Sequence, residues 1–224
     1  MVKVDEKIYC FWTGDNPITP NRLKGLETME KNLGVPIEFL DKGGIEARIL
    51  PDAPLHPGYK YLSCNHKSDY LRCYFMHHFG GGYADIKPYT RNNNWKRCFE
   101  YINRYEEIEL VGQHDSRGGI AVPGLRSLEN AEMLAACGWM VCRARSGFTT
   151  EWYARVMKKM DEKMGLLQKC PATEPFGGRG YPLEWAEVCG RIYHQVQYDL
   201  FKTRPKAIRN CLRTGWMGMG VPYR

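Results

Sequence analysis

The chain reads as an α/β protein, with one central, mostly parallel mixed sheet flanked by helices. Three observations predict this. A strand, a helix and a strand succeed one another within residues 7–40, the order and spacing with which a parallel sheet begins. A second helical pattern at 65–79 then passes through Gly80-Gly81-Gly82 into another strand-like run. Finally, 224 residues can bury a real core, and no repeat, low-complexity tract or linker-like composition divides them, so one domain over 1–224 is expected.

Each element has its own local reason. Residues 7–12, KIYCFW, are short, apolar and β-prone, and TGDNP breaks them. Thr19 can cap a helix, Pro20 suits its first turn, Leu23, Leu26, Met29 and Leu33 make its apolar stripe, and Gly34 stops it. Residues 35–40 form the second strand, ending at Asp41, and a parallel sheet of this kind binds ligands beyond the carboxyl ends of its strands. Pro51, Pro54 and Pro57 make 42–63 irregular apart from a short helix at 45–50. In 65–79 the apolar positions Leu71, Tyr74, Phe75 and His78 keep helical spacing, and Tyr83 to Ile86 begins a strand that Pro88 limits.

Further on, residues 109–112 and 139–142 read as strands, and 113–119 as a polar loop. A helix over 150–164 places Tyr153, Met157, Met160 and Met164 on its core face. Pro182 opens a last helix with Leu183, Ala186, Val188, Cys189, Ile192, Tyr193 and Val196 inward. The segment 204–224 is a basic tail, and Trp216, among glycines, is a candidate for a closing loop.

Composition narrows the function classes. Lys and Arg number 32 against 25 Asp and Glu, a net +7 that favours an anionic ligand. Nine scattered cysteines without a Cys-x-x-Cys pair read as buried thiols in a reducing compartment. No run approaches the roughly 20 apolar residues of a membrane span, and the first residues lack the apolar run of a secretion signal. The expectation is a soluble, cytoplasmic protein without membrane insertion.

The chemistry concentrates in SDYLRCYFMHHFGGGYADIKPY, residues 68–89. Asp69 and Arg72, three apart on a helix, share a face. As a surface ion pair they would be worth less than about 1 kcal/mol. The glycines after the helix let the next strand pass close to the helix end or to a ligand, and they deliver Asp85 nearby. A carboxylate there suits a hard cation such as Mg²⁺ or Mn²⁺.

Taken together, Phe11-Trp12-Thr13-Gly14, Ser68-Asp69-x-x-Arg72 and Gly81-Gly82-Tyr83-Ala84-Asp85 resemble the sugar-transferase family with a DXD motif, which includes small capsular-polysaccharide glycosyltransferases. The resemblance covers residues 7–89. It implies a GT-A type domain that uses a nucleotide-diphosphate sugar, a UDP-sugar as donor, with Mn²⁺ or Mg²⁺ as the cofactor and a glycan or glycoprotein as acceptor. Residues 1–90 would be the nucleotide-sugar-binding half, and 91–224 the acceptor-side half with the tail. By matching positions, Phe11, Trp12 and Thr13 would lie near base and ribose, Asp69 and Arg72 near the donor sugar, and Asp85 at the metal. Members occur in bacteria and large DNA viruses; a viral protein would then act in the host-cell cytoplasm, in building a surface glycan.

Two departures stand out. Counted from Gly81, the glycine run is one residue shorter than the family's, and Lys87 stands where its second aspartate belongs. Either another ligand completes a metal site at Asp85, with His114, Asp115 and His194 as candidates, or Lys87 takes part of the phosphate charge. An inverting reaction also needs a general base, for which Asp115 and Glu184 are available, although Glu184 also suits a helix start. Arg143 and Arg145 are further candidate phosphate contacts, or solvated charges. A dinucleotide-binding reading fails because no Gly-x-Gly-x-x-Gly or Walker loop follows a strand. The basic residues are dispersed and carry no nucleic-acid-binding motif. Binding of a sugar nucleotide without turnover is the alternative that Lys87 keeps open.

Overall fold

The protein is described here by a computed structural model covering residues 3–89, 94–129 and 131–212; Trp216 and its glycine-rich surroundings lie outside these. The first strand, β1 (Ile8–Phe11), is buried along its whole length. In α1 (Pro20–Asn32) the Thr19 side chain accepts from the Arg22 amide, Pro20 stands in the first turn, and Gly34 beyond the end takes φ +70°. Its inward face centres on Gly25, Leu26 and Met29, so Leu23, expected in the stripe, falls at the margin and is 45% exposed. After β2 (Ile37–Leu40), Asp41 caps α2 (Lys42–Glu46), which therefore starts earlier than the helix expected at 45–50.

The central helix α3 (Cys64–His78) is capped by Ser63 and buried nearly all round, including Asp69 and Arg72. At Gly80 φ is +67°, and an added Cβ would stand 2.8 Å from the Ala144 amide nitrogen, so the turn admits only glycine. The glycines themselves begin β3 (Gly81–Ala84), two residues before the expected start at Tyr83. The strand consequently ends at Ala84, and Asp85 lies just past its carboxyl end.

An unexpected helix follows, α4 (Trp95–Arg104), with Trp95, Cys98, Phe99 and Ile102 fully buried. Then come β4 (Leu110–His114), β5 (Ala135–Cys142) and α5 (Gly147–Lys169). The inward face of α5 is Phe148, Trp152, Val156, Met160 and Leu167; of the expected stripe, Tyr153 and Met157 only pack at its border. Pro182 does not open a helix. Residues 182–189 are held by contacts to α3 and α5: the Tyr181 hydroxyl accepts from the Ser63 amide (3.1 Å), His66 Nε2 bonds the Glu184 carbonyl (3.1 Å), and Glu187 pairs with Lys163 (2.8 Å). Only at Gly190 does α6 (Gly190–Thr203) begin, and part of the expected basic tail is the strand β6 (Ile208–Asn210).

The six strands form one sheet in the order β2-β1-β3-β5-β4-β6. The pairs β2/β1, β1/β3 and β4/β6 are parallel, while β5 is antiparallel to both neighbours, so five strands share one direction. Alternate residues of β1 enter opposite cores: Tyr9 and Phe11 join α3, α5 and α6, and Ile8 and Cys10 join α1 and α4. Strand β1 has β2 on one side and β3 on the other. The crevice outside the carboxyl ends of β1 and β3 is therefore the switch point at which open α/β sheets bind ligands. No helix among the described residues is long and apolar enough to cross a membrane.

Candidate functional site

Arg72 is the hub of this crevice. Placed on the third turn of α3 and only 6% exposed, it donates from Nη1 to the Cys137 carbonyl (2.5 Å) and the Cys189 sulfur (3.6 Å). From Nη2 it donates to the Tyr83 hydroxyl (2.9 Å) and Asp85 Oδ1 (3.2 Å), and Asp69 Oδ1 lies 3.3 Å away. Its guanidinium also stands 4.2 Å from the centre of the Tyr83 ring. The helix, the glycine turn and the end of β3 thus bring Asp69, Arg72 and Asp85 into one cluster.

Asp85 is held on both oxygens. Oδ1 accepts from the Tyr83 hydroxyl (2.8 Å) as well as Arg72, and Oδ2 is 3.1 Å from Lys87 Nζ. The ammonium in turn lies 5.2 Å from the centre of the Trp139 ring. Burial opposes ionisation of Asp85, but Lys87, Arg72 and the Tyr83 hydroxyl outweigh it and hold its carboxyl below the usual range. For Asp69 burial wins over Arg72 and His66, and its carboxyl is pushed up. Arg72 stays charged throughout, its desolvation more than offset by Tyr83, Cys189 and the two acids.

The segment carrying Asp85 and Lys87 is laid along α1. Arg22 bonds the Ile86 carbonyl, the Thr28 hydroxyl accepts from the Tyr89 amide (2.9 Å), and Asn32 bonds the Tyr89 carbonyl. Gly25 packs on the Lys87 main chain so closely that a Cβ would stand 3.2 Å from its carbonyl carbon. On the other side the Asp85 amide donates to the Gly138 carbonyl (2.9 Å), and the Tyr89 hydroxyl donates to the Asp85 carbonyl (3.2 Å).

The other sequence candidates divide. Thr13 joins the rim, its hydroxyl donating to the Cys64 carbonyl at the start of α3 (2.7 Å), and the Trp12 indole is tied to Asn16 (2.7 Å). Phe11 faces the core, its ring 5.7 Å from that of Tyr83 and stacked on it. Asp115 follows β4, its amide donating to the carbonyl of Leu134, the residue before β5. Buried His194 accepts from the Ala121 amide on Nδ1 (3.0 Å), which leaves the proton on Nε2, 3.4 Å from Asp115 Oδ2. His114 is exposed on β4. Glu184 points its carboxylate at Arg191 and is not in a helix, so a role at a helix start falls away. Arg143 and Arg145 sit at the opposite edge of the sheet; Arg143 ties down the carbonyls of Ile102, Tyr105 and Ile108.

Several residues were missed from sequence. The sequence gives Tyr83 no role, yet its hydroxyl links Arg72 to Asp85. Cys137 and Trp139 reach the site because β5 runs antiparallel, which puts residues 135–139 at the carboxyl ends of its neighbours. The hydrogen bond between the thiols of Cys137 and Cys189 lowers the first and raises the second, with Arg72 and His194 adding to the lowering at Cys137 against burial. Adjacent glycines and an aromatic were the available signal for Tyr83; none marked Cys137.

The residues present do not fit a resident divalent cation at Asp85. Both of its oxygens already meet cationic groups, Asp69 is engaged by Arg72, and no group of three or more His, Cys, Asp or Glu able to hold a metal occurs among the described residues.

No family model and no curated protein sequence matches the chain. Among solved structures it is similar to the PaToxG glycosyltransferase, at 11% identity and TM-score 0.49, over 90% of this chain and 70% of that one. It is also similar to mouse xyloside xylosyltransferase 1 in its apo form, at 11% identity and TM-score 0.47, over 93% of this chain and 85% of that one.

Proposed function

We propose that this protein is a glycosyltransferase of GT-A type that moves a sugar from a nucleotide-diphosphate donor, a UDP-sugar, to a glycan or glycoprotein acceptor. The observation that carries the reading is the convergence of the two motif segments: Asp69, Arg72 and Asp85 meet at the carboxyl-end crevice between β1 and β3. In this reading residues 1–90 hold the donor and 91–224 face the acceptor, with Trp12 and Thr13 on the nucleotide side.

The chemistry asked of these side chains is limited. An acceptor hydroxyl oxygen forms a bond to the anomeric carbon as the bond from that carbon to the β-phosphate oxygen breaks, and the electron pair leaves with the nucleoside diphosphate. Asp69 and Arg72 orient the sugar, and orientation alone can supply much of the rate. The hydroxyl proton passes to a carboxylate if the anomeric configuration inverts. Asp115 suits this better than Glu184, because it lies at the same edge of the sheet and is only 16% exposed, with its partner His194 buried.

The test is release of UDP from UDP-hexoses and UDP-pentoses, with water and with oligosaccharide acceptors, for the wild type and Asp69→Asn. Acceptor-stimulated UDP release that the substitution lowers on the order of 100-fold supports the reading. Nucleotide-sugar binding without any release favours a second reading, donor binding without turnover, for which Lys87 in place of an acid is the motivating observation. Failure to bind any of these donors would remove both.

A further inference from the structure

We propose that Lys87 supplies from within the chain the positive charge that a divalent cation would otherwise bring to the donor's diphosphate, so that this protein recognises a nucleoside diphosphate without a metal. The inference rests on the donor-site reading above.

The argument starts from the charges. Among the described residues Asp69 and Asp85 face Arg72 and Lys87, so these four charges balance and neither carboxylate is without a cationic neighbour that a divalent ion would have to replace. To reach Asp85 Oδ2 such an ion would have to displace an ammonium 3.1 Å away, and Oδ1 offers no easier approach with Arg72 at 3.2 Å and the Tyr83 hydroxyl at 2.8 Å. A cation brought to this spot would feel both basic groups as repulsion.

The ammonium is also well placed to do the work itself. Its main chain is fixed from one side by α1, through Arg22 on Ile86, Gly25 against Lys87, and Thr28 and Asn32 on Tyr89. From the other side Asp85 and the face of Trp139 orient the side chain, which is 15% exposed. A lysine ammonium is a compact charge with three donors, so it can bond a carboxylate and phosphate oxygens together. Asp85 does not depend on Lys87 alone, because Arg72 and Tyr83 hold its other oxygen. Lys87 can therefore turn part of its bonding to a diphosphate without leaving a buried acid unpaired.

The test is calorimetric titration of the whole chain with UDP and GDP, and with UMP and GMP as monophosphate controls, in EDTA and again with Mn²⁺. For the wild type, diphosphate affinity in EDTA within about threefold of that in Mn²⁺ is expected. Lys87→Met keeps the aliphatic stem on Trp139 and should weaken diphosphate binding on the order of 10- to 100-fold in EDTA, the worth of a lost charge-assisted bond, while the monophosphates change less. Lys87→Arg should retain most of the affinity. Lys87→Asp, which restores a second acid, should bind the diphosphate only with Mn²⁺. Wild-type binding at least tenfold tighter with Mn²⁺ than in EDTA would overturn the inference and leave the donor reading standing, and this comparison needs no variant to fold. Equal diphosphate affinity of wild type and Lys87→Met would overturn it as well. No binding of any nucleotide under either condition would overturn the donor reading, and this inference with it.

Discussion

Removing the guanidinium of Arg72 should destabilise the fold far more than the loss of one ion pair suggests. In Arg72→Met the Cys137 carbonyl, the Tyr83 hydroxyl and two carboxylates lose their common partner, at a position where the arginine side chain is 7% exposed and that of Asp69 13%. Breaking a buried pair by deleting one member costs about 3–5 kcal/mol, a large share of the roughly 5–15 kcal/mol that holds an ordinary domain. With a urea dependence of about 3 kcal/mol per molar for a chain of this size, the midpoint should fall by about 1–2 M. Urea unfolding followed by circular dichroism at pH 7 reads this directly. The sign with pH follows from the acids. Asp85, held low, contributes stability that is present above its unfolded value and lost as pH falls through its folded one. Asp69, pushed up by burial, contributes in the opposite sense, favouring the fold at low pH and losing that contribution as pH rises through its folded value. Without Arg72 both carboxyls rise, so the deficit of the variant should be largest at neutral pH and shrink as the acids protonate. Asp69→Asn added to Arg72→Met should recover part of the loss. A midpoint shift below about 0.3 M, the worth of an exposed pair, would refute the view of Arg72 as a buried hub.

The two positive-φ glycines that end α1 and α3 should respond differently to alanine. Gly80→Ala combines backbone strain with a Cβ 2.8 Å from the Ala144 nitrogen and should cost at least about 2 kcal/mol; Gly34→Ala, with nothing within 4 Å, should cost only about 1 kcal/mol, both by urea unfolding. The His77 imidazole is lowered to about 4 by burial, with His78 and Arg145 adding to it, so the folded state favours its neutral form. Its contribution is present above its unfolded value near 6.5 and is lost as pH falls from there to about 4, and His77→Gln should flatten the stability curve in that window. In a turnover assay Asp115→Asn should lower kcat on the order of 10²- to 10⁴-fold with KM little changed, whereas Glu184→Gln should stay within a few-fold; the reverse ranking would move the base to Glu184.

Much of this was legible because it is local. The Thr19 cap, Pro20 and Gly34 are read from residues within one turn of each other, and they bound α1 where expected. Asp69 and Arg72 had to share a face because α3 has 3.6 residues per turn. The strand–helix–strand opening announced a parallel sheet. The stripe Trp95, Cys98, Phe99 and Ile102 of the unexpected α4 is equally legible, because its spacing is helical.

What remained hidden depends on register and on partners distant in sequence. Nothing near residue 182 says that Tyr181 and Glu184 are tied to α3, 115–118 positions earlier, which keeps 182–189 out of a helix. Neither does any local pattern show that β5 runs antiparallel and so brings Cys137 and Trp139 to the site. The same holds for Lys87. By itself the sequence determined only that a lysine stands two residues after Asp85. Only the tertiary structure decided where its charge goes, because that depends on how α1, β3 and β5 pack: α1 clamps the main chain, Asp85 takes the ammonium at 3.1 Å, and Arg72 on α3 takes the other carboxylate oxygen. Local sequence sets which groups can ionise or cap a helix, whereas the balance between burial and neighbouring charge that governs their chemistry exists only once the chain has folded.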